Sequence, residues 1–193
     1  RRYYDSRRRA LAGACSDEEV YKIEMLMNQA GITVHDRPVV DAAMKRAEET
    51  GAPAAAMELH DGRMVTGKTS DLLGACAALL LNALKELAGI PHDRPVISPA
   101  AIEPIQTLKT QYLGSKNPRL HTDEVLIALS VSAASDPDAQ KALEQLPNLK
   151  GCQAHTSVMV GDVDRKQFMK LSVQATFEAK YENNSVFFPK KGV

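Results

Sequence analysis

Residues 72–89, LLGACAALLLNALKELAG, constrain the fold more than any other part of the sequence. A surface helix carries one apolar stripe, but the first three turns of this segment are apolar almost all round. Such a helix must be covered on most sides, which predicts a position at the centre of a layered domain. It is not a membrane span. The apolar stretch proper covers residues 72–81, well short of the ~20 residues a bilayer requires, and Asn82, Lys85 and Glu86 follow at once. Ser70 and Asp71 are expected to cap its start, with Gly89 and Pro91 closing its end. Gly74 and the alanines would let a neighbouring element approach closely.

The surrounding pattern supplies elements to bury that helix. Ser16-Asp17-Glu18-Glu19 reads as a capping box opening a helix whose apolar positions are Val20, Ile23, Met27 and Ala30, stopped by Gly31. Pro38 opens a second helix that runs to Gly51 with Val39, Val40, Ala43 and Ala47 on one side. Two extended runs then flank Asp61-Gly62, a hairpin signal that calls for positive φ at both turn positions. Beyond the central helix, residues 91–121 are rich in proline, with a short helix expected near AAIEPIQTLKTQYL. Thr122-Asp123-Glu124 begins another helix with acids at its positive end. Asp136-Pro137 begins the next, ending at Pro147. HTSVMV reads as a buried strand, DVDRKQFMKL as a short helix, and VQATFEAKY as a strand with one wet side. Helices alternating with a small sheet predict an α/β sandwich with mixed strands. The tail ENNSVFFPKKGV has no period, and Phe187 and Phe188 could pack on a partner.

Charge and cysteine content narrow the function classes. The 193 residues hold 24 Lys plus Arg against 24 Asp plus Glu, so no global basic field exists and nucleic-acid coating is not expected. The opening RRYYDSRRR is locally basic, but in a neutral chain it reads as a solvated helical end of something longer. Cys15, Cys76 and Cys152 are odd in number and far apart, unlike a secreted disulfide framework, which points to reduced thiols and a cytoplasmic setting.

Three constellations carry chemistry. The stretch from Gly62 to Thr69, GRMVTGKT, fits the phosphate-loop pattern letter for letter, although its Arg-Met-Val-Thr interior has strand propensity and its first glycine sits in the hairpin turn. A weaker form of that idea keeps Lys68, Thr69 and Ser70 as anion contacts at a helix amino end, against plain capping. The polar run from Gly114 to Glu124 offers Lys116, Asn117, Arg119 and His121 for a carboxylate or phosphate, against an ordinary loop with a capped helix. Cys152 and His155, with His121 and Glu124, have metal-ligand chemistry but no specific spacing. His155 on a strand reads rather as a hydrogen-bonded core histidine, so neither a metal nor another cofactor is expected.

Long runs of the chain, among them RPVVDAAMKRAEETGAPAAAMELHDGRMVTGKTSDLLGACAALLLNALKELAGI, AIEPIQTLKTQYLGSKNPRLHTDEVLIALS and ALEQLPNLKGCQAHTSVMV, resemble the C-terminal part of a bacterial family, domain of unknown function eighteen-forty-six. The likeness covers most of residues 16–181, while the segment after Val160 departs from the pattern. Members are much longer, so the resemblance implies that an N-terminal portion of the same protein is a partner of this chain. It also implies a helical subdomain over residues 1–50, a three-layer α/β subdomain in a cytidine-deaminase-like arrangement over 51–182, and a tail over 183–193. Zinc deaminase chemistry is not implied: the chain has no CxxC, and no H-x-E or C-x-E opens the central helix. Some members have carried an ATP-dependent peptidase label, for which this chain holds no protease motif.

The sequence therefore predicts a domain of unassigned reaction that binds a small anionic or phosphate-bearing ligand through Lys68, Thr69, Ser70, Lys116, Asn117, Arg119 and His121. An assembly domain forming homo-oligomers without ligand is the first rival. A metal-dependent hydrolase built on Cys152, His155 and His121, or a peptidase-type enzyme, is the second.

Overall fold

A computed structural model describes residues 1–182 of the chain; the tail expectation for Phe187 and Phe188 lies outside them. Among the described residues, eight α-helices surround a four-stranded mixed sheet. The elements are α1 (Arg2–Leu11), α2 (Asp17–Gln29), α3 (Pro38–Thr50), β1 (Ala54–Glu58), β2 (Met64–Lys68), α4 (Ala75–Leu87), α5 (Pro99–Thr107), α6 (Thr122–Ser132), α7 (Pro137–Leu143), β3 (Gln153–Thr156), α8 (Asp162–Lys170) and β4 (Gln174–Phe177). The strand order is β2-β1-β3-β4. β1 runs antiparallel to β2 and β3, while β3 and β4 are parallel. A parallel pair needs a crossover, and α8 supplies it.

The hairpin forms where the Asp61-Gly62 pair predicts, with a different turn. Only Gly62 has positive φ, at 83°. Leu59 accepts the Gly62 amide at 3.0 Å and donates to the Arg63 carbonyl at 2.9 Å, so the loop holds an ordinary turn followed by a left-handed glycine. Asp61 stays out of the left-handed region because its carboxylate takes the Arg63 amide at 3.0 Å and Arg63 Nε at 2.8 Å. Strand β2 then occupies Met64–Lys68, which excludes the phosphate-loop reading: those residues pair with β1 in register and do not curl around a ligand.

Helix α4 lies at the centre, as its all-round apolarity requires, with Ala77, Leu79, Leu80, Ala83 and Leu84 fully buried. It packs on one face of the sheet against Ala55, Met57, Ala154 and Phe177. The small residue that admits it is Gly67, not Gly74. A Cβ on Gly67 would sit 2.2 Å from the Leu79 backbone nitrogen, whereas one on Gly74 would meet nothing closer than 3.7 Å. Asn82 Nδ2 donates to the Thr66 carbonyl at 2.9 Å across the same contact. Helix α3 covers the opposite face through Val39, Val40 and Ala43, and three consecutive buried alanines in β1 leave room for both helices.

Five local expectations are corrected. Helix α4 begins at Ala75 with Gly74 at its cap, not at Ser70-Asp71; Ser70 Oγ instead accepts the Leu72 and Leu73 amides at 3.3 and 3.1 Å in a turn. Helix α2 starts after Ser16 without a side-chain cap, because Glu19 is drawn off to Arg9 at 2.8 Å. Of HTSVMV only His155 and Thr156 lie in a strand, and α7 stops at Leu143 before a separate 3-10 turn over Leu146–Leu149. The supposedly wet side of β4 is dry at Thr176, which lies beneath the first residues of the chain.

Candidate functional site

The two polar segments singled out in the sequence meet at one place. Leu73 and Leu120 form a parallel bridge, the Gly74 amide donates to the Leu120 carbonyl at 3.1 Å, and the Leu120 amide donates to the Leu72 carbonyl at 2.9 Å. This draws the turn after Ser70 alongside the loop that feeds α6. At that junction Lys109, from the π-helical turn after α5, is nearly buried. Its ammonium donates to Glu124 Oε2 at 2.8 Å and to the Arg119 carbonyl, and lies 3.4 Å from His121 Nδ1. Glu124 reaches back to the His121 amide at 2.7 Å, capping the helix. Burial opposes ionisation of Glu124, yet hydrogen bonds from His121 and Lys109 outweigh it and bring its pKa down to about 2. The same hydrogen bond to Glu124 pushes His121 up, against the opposing effect of burial.

Charge at this junction is largely consumed internally. Arg119 pairs with Glu182 at 3.0 Å, both nearly buried. Asn117 Oδ1 accepts the Arg119 amide. Lys68, Ser70 and Lys116 are exposed, and Thr69 is buried with its amide on the Pro53 carbonyl. One polar atom stands out: Thr122 Oγ1, in the first turn of α6, is buried without a partner, while the Thr122 amide donates to Asp164 Oδ1 at 2.9 Å.

The metal-hydrolase set is not assembled. Cys152 and His155 are three residues apart across the start of β3 and so face opposite sides of the sheet, and His121 belongs to the α6 junction. Cys152 Sγ donates to the Asn148 carbonyl at 3.6 Å, and burial pushes its thiol up, away from thiolate. Among the described residues His121, Asp123 and Glu124 bring three ligand atoms within 4.8 Å, but the Lys109 ammonium already takes the place a cation would hold against Glu124.

His155 is a core histidine with an unforeseen setting. It is fully buried, with Nδ1 2.9 Å from Thr176 Oγ1 and Nε2 3.3 Å from Glu178 Oε1. The Tyr4 ring tilts over it at 4.7 Å. Arg37, just ahead of α3, donates to Thr176 Oγ1, to Gln153 Oε1 at 2.9 Å and to the Gln174 carbonyl at 3.1 Å. Burial raises the Tyr4 phenol, and the Glu178 carboxylate beside it adds to the rise. The hydrogen bond from His155 in turn holds Glu178 below the usual carboxylate range. Helix α1 is therefore seated on the sheet by a polar seam, not solvated all round as its arginines suggest.

Next to this seam lies a cleft of about 390 Å³ that no motif announced. Its floor is Phe168, Val173, Ala175, Thr176 and Phe177; its rim carries Arg1, Arg2, Arg8, Arg9 and Arg165, with Asp5 and Glu19 as the carboxylates. Arg8 pairs with Asp5 at 2.8 Å, Arg9 with Glu19 at 2.8 Å and Arg165 with Asp162 at 3.0 Å. In each pair the carboxylate is at least two-fifths exposed, so these are surface contacts that a ligand can replace at small cost. The signal for this site was RRYYDSRRR, but the residues that make it a cleft come from α8 and β4, some 160 positions later.

Comparison with known proteins gives the chain a family. It is 57% identical over 166 residues to the UPF0371 protein of Corynebacterium glutamicum, covering 86% of this chain and 34% of that protein. Identity is 54% over 191 residues with the Corynebacterium efficiens UPF0371 protein, covering 97% of this chain and 38% of the relative. It is 46% over 187 residues with that of Streptococcus thermophilus, again 97% and 38%. The chain thus spans between a third and two-fifths of the length of these relatives. The family described as Domain of unknown function DUF1846, C-terminal, matches residues 35–187, including the segment after Val160 that departed from the expected pattern. The chain belongs to the DUF1846 family, whose C-terminal domain it contains.

Proposed function

We propose that the chain is the ligand-binding C-terminal unit of a longer protein and takes a small organic anion in the arginine-rimmed cleft. The observation that carries this is the combination in one concavity of an apolar floor with five arginines against two carboxylates, in a chain of zero net charge. Its volume falls within the range of small-molecule sites, which bury an apolar body and orient it by a few polar groups. Arginine forks match carboxylate and phosphate oxygens in pairs.

The cleft is preferred over Lys68, Thr69, Ser70, Lys116, Asn117, Arg119 and His121, since the buried cations of that junction already have carboxylate partners. The cytidine-deaminase-like arrangement remains part of the proposal, supported by a small mixed sheet with α3 on one face and α4 on the other. Unpaired Cys76 and Cys152, both buried, support a reducing, cytoplasmic setting. No helix among the described residues is long and apolar enough to cross a membrane.

A second reading, assembly, is favoured by one observation: Tyr21, Met25 and Leu26 of α2 are exposed at helical spacing. Such a stripe suits a further portion like that of the longer relatives, or a second copy. Titration calorimetry separates the readings. Phenyl phosphate should bind this chain, and replacing Arg8 and Arg165 together by Ala should weaken binding at least tenfold, since each charge-assisted hydrogen bond contributes about 1.5–3 kcal/mol. Absence of binding at millimolar phenyl phosphate, together with concentration-dependent mass in gel filtration, would favour assembly.

A further inference from the structure

Among the described residues, the cleft also runs along an outer edge of the sheet beneath a basic rim, and this identifies the kind of ligand. Strand β4 ends the sheet among the described residues and pairs with β3 alone. The Gln174 and Glu178 amides donate inward to the Cys152 and Thr156 carbonyls at 2.8 and 3.0 Å. By the two-residue period of a strand, the main-chain groups of Ala175 and Phe177 face outward; the Ala175 amide turns back to the Val173 carbonyl at 3.0 Å, which leaves the Ala175 carbonyl and the Phe177 amide and carbonyl for a partner. These are the residues that line the cleft floor, with Val173 and Thr176 beside them. Natural edges are usually blunted by lysine, proline or a bulge; β4 reads Gln-Ala-Thr-Phe and carries none of these among its residues.

We infer that an extended acidic segment of the longer polypeptide adds as a fifth strand to β4. This rests on the reading of the cleft as an anion site. Main-chain hydrogen bonds to the Ala175 carbonyl and to the Phe177 amide and carbonyl would supply affinity, and alternate carboxylates meeting Arg8, Arg9 and Arg165 would supply specificity. A second copy of this chain is disfavoured, because its own arginine rim would face this one. A source within the same polypeptide is favoured by length: the Corynebacterium efficiens relative matches this chain over only 38% of itself, so most of it is available to supply the strand.

The test uses acetyl-EVEVE-amide as probe, with binding and the exchange rate of the Phe177 amide followed by NMR. Strand addition predicts that the peptide binds and slows Phe177 exchange at least tenfold. Methylating its alternate amides should weaken binding at least tenfold, and acetyl-KVKVK-amide should not bind. The full-length Corynebacterium efficiens relative, its own strand already seated, should bind the peptide at least tenfold more weakly than this chain does. Equal binding of the methylated peptide overturns strand addition, and equal binding by the full-length relative overturns the source. If phenyl phosphate binds while the peptide does not, the anion reading stands and this inference falls. If neither binds, both fall.

Discussion

Replacing Glu124 by Gln tests the α6 junction as a structural cap. The substitution keeps the shape and an oxygen that can still accept the His121 amide, but it removes the charge facing Lys109, whose ammonium lies 2.8 Å away and nearly out of solvent. A pKa held at about 2, against the ordinary value of 4.5, corresponds to about 3 kcal/mol in favour of the folded state. Because the folded pKa is depressed, this stability is present above the unfolded pKa and is lost as pH falls from about 4.5 to about 2. His121 works in the other direction: raised by the same hydrogen bond, it favours folding below its ordinary value of 6.5 and loses that contribution as pH rises through the folded pKa. The two share one contact and are counted once. Urea titrations at pH 7, 5 and 3 should show Glu124→Gln less stable than the parent by about 2–4 kcal/mol at pH 7, the gap closing toward pH 3. A variant within about 0.5 kcal/mol of the parent at pH 7, with an unchanged acid limb, would refute the reasoning.

Other substitutions probe packing in opposite directions. Thr122→Val should leave stability unchanged or raise it by up to about 1 kcal/mol, because it replaces an unpartnered buried hydroxyl with a methyl of like size; a loss above 1 kcal/mol in urea would mean that the hydroxyl has a partner. Gly67→Ala should cost more than about 2 kcal/mol, since its Cβ would meet the α4 backbone, whereas Gly62→Ala, strained by φ but in open space, should cost about 1. Parallel thermal melts give the ranking, and the reverse order would contradict the close approach of α4 to β2. His155→Leu should destabilise the chain by about 1–3 kcal/mol and loosen α1, read as faster hydrogen exchange of the Asp5 amide, which donates to the Arg1 carbonyl; unchanged exchange would separate the seam from the seating of α1.

Local signals explain which parts of the fold were legible. Pro38 and Gly51 bound α3 because each acts on its own φ, and Gly62 turns the hairpin for the same reason. The apolar run predicted the buried place of α4, yet its start was misread because the Ser70 hydroxyl closes a turn held by Leu120, a partner some fifty residues away. Thr176 read as wet because the cover over it, α1 and Arg37, comes from the far end of the sequence. The arginine cleft was illegible for that reason also: RRYYDSRRR announces charge, but nothing local says that β4 and α8 will stand beside it.

A crystal structure of the chain with phenyl phosphate is the most direct measurement of the central claim. The account predicts the phosphate between Arg8, Arg9 and Arg165, with the ring against Phe168 and Phe177. Phenyl phosphate beside Ser70 and His121, or an empty cleft at saturating concentration, would contradict it.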